Sequence, residues 1–525
     1  LTMDSRKKTA RTRDPRLLAF GVTFFVLMLV TSLLWLSCFS MTDFGKEVTF
    51  YDGATVCRVE SEEEDCDMDN CHHCDEELGR CTPDPSRNAS DDDLDTYFTC
   101  DDDGVHGPGP DCDDGTDLIK PGAAEQCNVE DDDCDGTVDE GIVHSWESPE
   151  ELFPGSHPAV DWDGQNIAVV WEAHGETTTN LKFAFLTASA GISEQNDLLA
   201  GGSDNVESPS IAYIREREGS STFGVAWINN ESGNRGLQVI VVQPAVQLPY
   251  SGVIELIEEP DGEQMSAPKV ACAYDIDRCA VAWKQQSTGD AATAEIKIAF
   301  INKDTGSPEE DIIEVSSRPG VESTEPAVVR AGAGFAVAWT EIVSEGNSSI
   351  HVACYDQETK GRIGDAVELN VDGDRNPSSP ALGRRIGAPS SSEVILVYQA
   401  LGEGTQQDIY YVMLDLAKFD DDGEVFGSTN NLSSSSLLSM SPSVFWAGDD
   451  IGVAWNERGA DKVNYFALIA AAGGDGIPGE SVLLGEGLRP SVSTTGTEGG
   501  FLVLGYRKIE SDYAIMANGT SCEVE

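Results

Sequence analysis

Residues able to do chemistry crowd into one stretch, Cys100 to Gly141, which reads CDDDGVHGPGPDCDDGTDLIKPGAAEQCNVEDDDCDGTVDEG. Asp131, Asp133 and Asp135 alternate and are followed by Gly136. That is how a calcium loop opens: alternate side chains converge on one ion while the glycine permits the turn. An EF-hand would then place Glu at the twelfth position, where this chain has Ile142. Asp139 and Glu140 come earlier, so a tighter loop is expected. Asp111, Asp113 and Asp114 form a second acidic set, and Asp101 and Asp103 before Gly104 form a third. Hard oxygen donors at this density favour Ca²⁺ over Zn²⁺ or Cu²⁺. Without an ion such carboxylates repel one another; with one they become its cage. The bland alternative for the same residues is a solvated charge run.

Cysteine is equally polarised. Nine of the fourteen lie between Cys57 and Cys134. Cys57, Cys66, Cys71, Cys74, Cys81 and Cys100 precede the acidic stretch, and the CHHC of Cys71 to Cys74 has metal-ligand spacing that Cys66 or Cys81 could complete as a zinc site. Asp75 stands where a c-type haem site needs histidine. In an oxidising compartment the same cysteines make disulfides instead. The compartment is read from the start of the chain. Residues 1–16 are basic, and Leu17 to Phe39 runs without a charge, long enough to span a bilayer. This is an uncleaved anchor, a cleaved signal, or a lipoprotein signal acylated at Cys38; each puts the bulk of the chain outside the cytoplasm, periplasmic or at the cell surface.

The run DCDD, PGA-x-E-x-C-N and DDDCDGTVDEG resembles the Asp- and Cys-rich metal-binding motif of bacterial surface proteins, and it is similar to thrombospondin type 3 calcium repeats. The resemblance covers roughly Asp111 to Gly141. It implies Asp111, Asp113, Asp114, Asp131, Asp133, Asp135, Asp139 and Glu140 as ligands, with Cys112, Cys127 and Cys134 as staples. The inserted HGPGP departs from the pattern upstream, beside Asp101 and Asp103.

Beyond residue 141 the chain repeats. AVVWE, GVAWI, AVAWK, FAVAWTE, ILVYQ, GVAWN and FLVLGY place aromatics at Trp171, Trp227, Trp283, Trp339, Tyr398, Trp455 and about Tyr506. A Pro-led mark accompanies each: PAV at 158, PSI at 209, PKV at 268, PAV at 326, PAL at 380, PSV at 442 and PSV at 490. Each unit offers four short apolar runs, the pattern of a propeller blade, so residues 142–525 are expected to form an all-β, seven-bladed β-propeller. The aromatics are expected to pack between blades. The last unit lacks a fourth run, which Ile142 to Phe153 would supply, tying the two ends of the ring together. Units of this kind are similar to the propeller-like repeats found behind the metal-binding motif in exported bacterial proteins. The spacing of Cys272 and Cys279 allows a cross-strand disulfide. Pairing of Cys522 with an N-terminal cysteine would leave Cys354 a buried thiol.

The formal net charge of −60 argues against nucleic acid as a partner. No nucleophile elbow, HExxH or phosphate-binding glycine loop occurs. Asp161, Asp163, Asp275 and Asp277 fall at inner turns, where a propeller enzyme could hold its carboxylates, but they do not recur in other units and also suit turns. The histidines show no spaced pair within the repeats. The expected layout is therefore a basic tail (1–16), an anchor or signal (17–39), a Cys-rich module and acidic linker (40–100), a calcium-binding neck (101–141) and the propeller (142–525). The expected function is a non-catalytic, membrane-anchored surface protein whose propeller binds a protein or glycan. The alternatives are a metal-handling protein using the acidic region, and a propeller-fold carbohydrate-active hydrolase or lyase.

Overall fold

The computed structural model describes residues 72–75, 80–83, 119–123, 132–134 and 143–145 and, apart from short loops, 150–522. The segment 17–39, Cys38, Asp275, Asp277 and every metal-ligand candidate except Asp133 lie outside the described residues, as do Cys57, Cys66, Cys71, Cys100, Cys112 and Cys127. Among the described residues no helix is long and apolar enough to cross a membrane. The chain divides into two compact units, residues 1–123 with 133–135, and residues 124–132 with 136–525.

In the first unit, His72–Asp75 and Arg80–Pro83 form an antiparallel hairpin with Cys74 opposite Cys81 in register. Further on, the Gly122 N–H donates to the Asp133 carbonyl at 3.1 Å. Cys134 is buried, disulfide-bonded and left-handed at φ 57°.

The second unit is all-β and propeller-like. Its first sheet is Ser156–Trp162, Ile167–His174, Thr179–Leu186 and Ile192–Asp197, paired in that order. Runs opened by Val206–Arg217, Glu263–Cys272, Glu322–Ala331, Ser378–Ile386 and Leu438–Ala447 follow, each continuing antiparallel through the strands after it, and the last two are joined into one nine-stranded sheet by a parallel pairing of Arg385 with Trp446 and Ile386 with Ala447. The last takes Leu488–Thr494, Phe501–Ile509 and Asp512–Cys522, and Asp512–Cys522 pairs in turn with Val143–Ser145 and Glu150–Pro154. The first strands adjoin in cyclic order, with Leu488–Thr494 beside Ser156–Trp162.

The second strand of each sheet explains the continuous apolar runs. Ala168 and Val170 pack toward the second sheet, whereas Ile167, Val169 and Trp171 pack toward the last. A strand buried on both faces reads as unbroken hydrophobe instead of alternating. Trp171, Trp227, Trp283, Trp339, Tyr398 and Trp455 are all buried, each in the layer shared with the preceding sheet. Where Gln or Glu stands two residues on, it accepts the indole N–H: Trp283 to Gln285 at 3.3 Å, Trp339 to Glu341 at 3.2 Å and Trp455 to Glu457 at 3.4 Å.

The seventh aromatic differs from expectation. Ser491 pairs with Leu504 as Ser443 pairs with Ala454, so Gly505 and not Tyr506 is the counterpart of Trp455. Asn464 fills the place of the missing ring, since a Cβ on Gly505 would meet its Nδ2 at 2.6 Å. Tyr506, one residue further, faces the other way, into the layer with Trp171.

Each proline mark is a β-bulge. The ladder slips at Ser156/Ala159, Ser266/Lys269, Thr324/Ala327, Ser378/Ala381, Met440/Ser443 and Leu488/Ser491, and opposite Trp227 in the second sheet. The residue before each proline, namely His157, Ser208, Ala267, Glu325, Ser379, Ser441 and Arg489, has φ between 47° and 56°. This left-handed backbone costs a non-glycine residue about 1–2 kcal/mol. In return it turns the amide outward: Ser208 N–H donates to Glu172 Oε1 at 2.7 Å, Ser379 N–H to Thr340 Oγ1 at 3.2 Å and Ser441 N–H to Gln399 Oε1 at 3.1 Å. All three acceptors directly follow the aromatic of the preceding sheet, so bulge and aromatic are one latch. Ala267→Gly is accordingly expected to stabilise the protein by about 1 kcal/mol, read as a higher urea midpoint, by removing the Cβ from a left-handed position.

Candidate functional site at the channel mouth

The bulges bring seven chain segments to one place. Four of the pre-proline residues and six of the prolines border a cavity of about 310 Å³ along the first strands, lined by His157, Ser208, Ala267, Lys269, Arg489 and the small residues beside them. A second cavity of about 180 Å³ lies further along the same strands, with Asp161, Tyr213, Arg330 and Arg384 in its wall.

The richest chemistry sits where the last sheet meets the first. His157 Nδ1 lies 2.8 Å from Glu172 Oε2, and His157 Nε2 lies 3.3 Å from the Tyr506 hydroxyl. The Ser156 hydroxyl donates to Glu172 Oε2 at 2.9 Å and is 2.7 Å from His174 Nε2. Burial pushes the Glu172 carboxyl up, but the hydrogen bond and charge of His157, the Ser208 amide and the Ser156 hydroxyl outweigh it and hold the pKa below its ordinary 4.5. The His157 ring is thereby held between the Glu172 carboxylate at Nδ1 and the Tyr506 hydroxyl at Nε2. Burial raises the Tyr506 phenol above its ordinary pKa, so it stays protonated.

The folded pKa of Glu172 lies below its unfolded value, so its contribution to stability is present above pH 4.5 and is lost as pH falls through the folded value. Thermal unfolding of wild type and Glu172→Gln, followed down from neutral pH, is expected to show a gap that closes below that point.

Lys269 is exposed on the wall of the larger cavity, where desolvation by the surrounding strands first and Arg489 second lower its pKa. Glu325 is turned away from the cavity, with Ser379 N–H and hydroxyl donating to it at 2.8 Å each and Thr340 hydroxyl at 3.2 Å.

The carboxylates expected at inner turns are used differently. Asp161 belongs to the first strand, where it accepts from the Tyr213 amide at 2.6 Å and the Trp162 amide at 2.8 Å; burial raises its pKa. Asp163 is a turn residue, accepting from the Gln165 and Asn166 amides and from the Ser221 hydroxyl. His157 and His174, which form no spaced pair in the sequence, meet at Ser156. They had no spacing signature because one precedes a proline mark and the other ends the adjacent strand. Cys272 and Cys279 form a disulfide across the third sheet, and Cys354 is a buried thiol. Cys522 pairs by backbone with Val143. Among the described residues no three His, Cys, Asp or Glu side chains gather as a metal cluster.

Residues 111–140 match the family described as "Putative metal-binding motif", whose name refers to copper. No curated protein matches the chain. Solved structures similar to it include an α-L-arabinofuranosidase from Fusarium graminearum (14% identity, 60% of this chain and 93% of that one, TM-score 0.38). An α-L-arabinanase from Penicillium chrysogenum is similar at 12% identity, 59% and 92% coverage and TM-score 0.40. The polysaccharide lyase Uly1 is similar at 8% identity, 72% and 94% coverage and TM-score 0.42. By their names these are carbohydrate-active enzymes, a finding against the expected non-catalytic binding module, and at this identity the likeness is one of fold.

Proposed function

We propose that residues 142–525 form a seven-bladed β-propeller acting as a glycan-cleaving enzyme at the channel mouth. The cyclic neighbourhood of the first strands and the pairing of Asp512–Cys522 with the segment before Ser156 support the ring. The observation that carries the activity is His157, a base held between an ionised Glu172 and the Tyr506 hydroxyl on the cavity wall. Glu172 orients the imidazole, and the 3.3 Å contact to Tyr506 is long enough to yield to a substrate proton. A hydrolase of the paired-carboxylate type needs a carboxylic acid of raised pKa and a second free carboxylate. Among the described residues the wall of the larger cavity supplies neither: Glu172 is held low, Glu325 accepts three hydrogen bonds, and Asp161, whose pKa is raised, lies along the second cavity. Incubating the purified chain with a panel of polysaccharides and measuring new chain ends tests the reading; no new ends from any of them would refute it.

The neck, residues 101–141, is read as a calcium site that gives this stretch its shape. Between Asp111 and Glu140 there is no histidine or methionine, so the donors are carboxylate oxygens and a few cysteines, and hard oxygen donors suit Ca²⁺ better than copper. Cys134 is already committed to a disulfide. Export and tethering through residues 17–39 accompany this reading, supported by the oxidised state of Cys134, Cys272 and Cys279. Limited proteolysis should show residues 57–141 protected in Ca²⁺ and cut in chelator, with no protection from Cu²⁺.

A further inference from the structure

The residue after each proline mark is small in six of the inner strands: Ala159, Ser210, Ala327, Ala381, Ser443 and Ser491. The serines there have a structural task. Ser210 accepts from the Val270 amide at 3.2 Å, Ser443 from the Val492 amide at 3.2 Å and Ser491 from the Val160 amide at 3.3 Å, each across to the next sheet. In the third sheet this place is taken by Lys269, which cannot accept a hydrogen bond. Arg489 is the pre-proline residue of the last sheet, where three of the others are serine.

Lys269 and Arg489 are near enough that the second lowers the pKa of the first. Neither makes an ion pair or hydrogen bond among the described residues. Yet the chain carries 93 acidic residues against 33 basic ones, and among the described residues lining the mouth there is no Asp or Glu. Two like charges facing one cavity repel, and among the described residues no ion pair or hydrogen bond offsets this. A bound anion would. It would also have to be drawn past a strongly negative surface, so the attraction must be local.

We propose that the channel mouth recognises a uronic acid unit of a polysaccharide, its carboxylate seated between Lys269 and Arg489. This rests on the reading of the mouth as a glycan-cleaving site and names its substrate class. It also fixes the chemistry. Neutralising the carboxylate acidifies the C–H on the adjacent ring carbon, and His157 Nε2 takes that proton. The electron pair left behind forms a carbon–carbon double bond to the neighbouring carbon, and the bond from that carbon to the glycosidic oxygen breaks. The leaving oxygen takes the Tyr506 hydroxyl proton, and the proton on His157 Nε2 then returns to Tyr506, across the contact already present. One proton moves from carbon to oxygen; no water, metal or oxidant is consumed.

The test is calorimetric binding of three matched oligosaccharides to the full chain: a polyuronate, its methyl ester, and a sulfated neutral glycan. The uronate is expected to bind, with affinity falling as salt rises, and the other two at least tenfold more weakly. Lys269→Ser and Arg489→Asn are each expected to weaken uronate binding roughly tenfold to a hundredfold. Serine is the residue of the equivalent strands and asparagine tolerates the left-handed backbone, so both variants should fold, and Lys269→Ser should unfold at a higher temperature than wild type. Equal binding of uronate and ester, preference for the sulfated glycan, or unchanged binding in both variants would overturn the proposal. Uronate binding without cleavage would leave it standing while removing the enzymatic reading. Cleavage of a neutral glycan that needs His157 but not Lys269 would do the reverse.

Discussion

His157→Asn is expected to lower glycan cleavage by roughly 10²–10⁴-fold, the range by which a positioned acid–base group accelerates proton transfer. Asparagine is the informative replacement. His157 sits at φ 51° before Pro158, and asparagine tolerates that backbone better than alanine does, so the bulge and its neighbours should survive. Its amide can still donate to Glu172 but offers no nitrogen base. Loss of turnover with an unchanged unfolding temperature and retained glycan binding would assign His157 to the chemical step. Retained turnover would remove it, and with it the proposed site. Because Tyr506 lies 349 residues away and reaches His157 only where the last sheet meets the first, any variant that loosens this junction should also lose activity.

Trp171→Ala is the expected extreme in stability, at about 3–5 kcal/mol. Its ring stacks on Phe153 at 4.1 Å between centroids and 15° between planes, and it packs against Leu502, Leu504, Ile515 and Ala517 of the last sheet. Removing it hollows the layer that joins the two ends of the ring and loosens Glu172, the next residue. Urea unfolding gives the size of the loss, and activity measured below the transition should fall as well. Trp171→Phe is the control. Trp171 Nε1 is buried without a hydrogen-bond partner, since Ala173 stands where other sheets carry Gln or Glu, so deleting that N–H removes a penalty while a ring remains to stack. A small effect for Phe beside a large one for Ala would assign the aromatic to packing at this junction.

The sequence showed the strands well and the site poorly, for one physical reason. A repeated aromatic fills the same layer in successive units, so its spacing prints the sheet order directly into the chain; Trp171 to Trp455 could be read that way. The print fails at the last unit because Asn464 of the previous sheet occupies the layer, leaving room only for Gly505 and making Tyr506 look like the missing member. The site is assembled from departures within the repeat. His157, Lys269 and Arg489 occupy places where most units have Ser or Ala, and aligning the residues around each proline would have exposed all three. Glu172 and Tyr506 could not be found so, since what matters is which sheet lies across from them. The neck was legible as chemistry alone, from carboxylates spaced around glycines, and its match to a metal-binding family covers residues 111–140.

The last sheet is built from both sides of the repeat region: Asp512–Cys522 runs between Phe501–Ile509 and the early strand Glu150–Pro154. During synthesis, Phe153 and the outward face of Trp171 therefore wait, uncovered, while the other sheets are made. Contacts this distant in sequence form slowly, and exposed apolar strands in a nascent chain invite aggregation. A ribosome-stalled product ending before Asp512 should thus bind general chaperones and resist cooperative unfolding analysis.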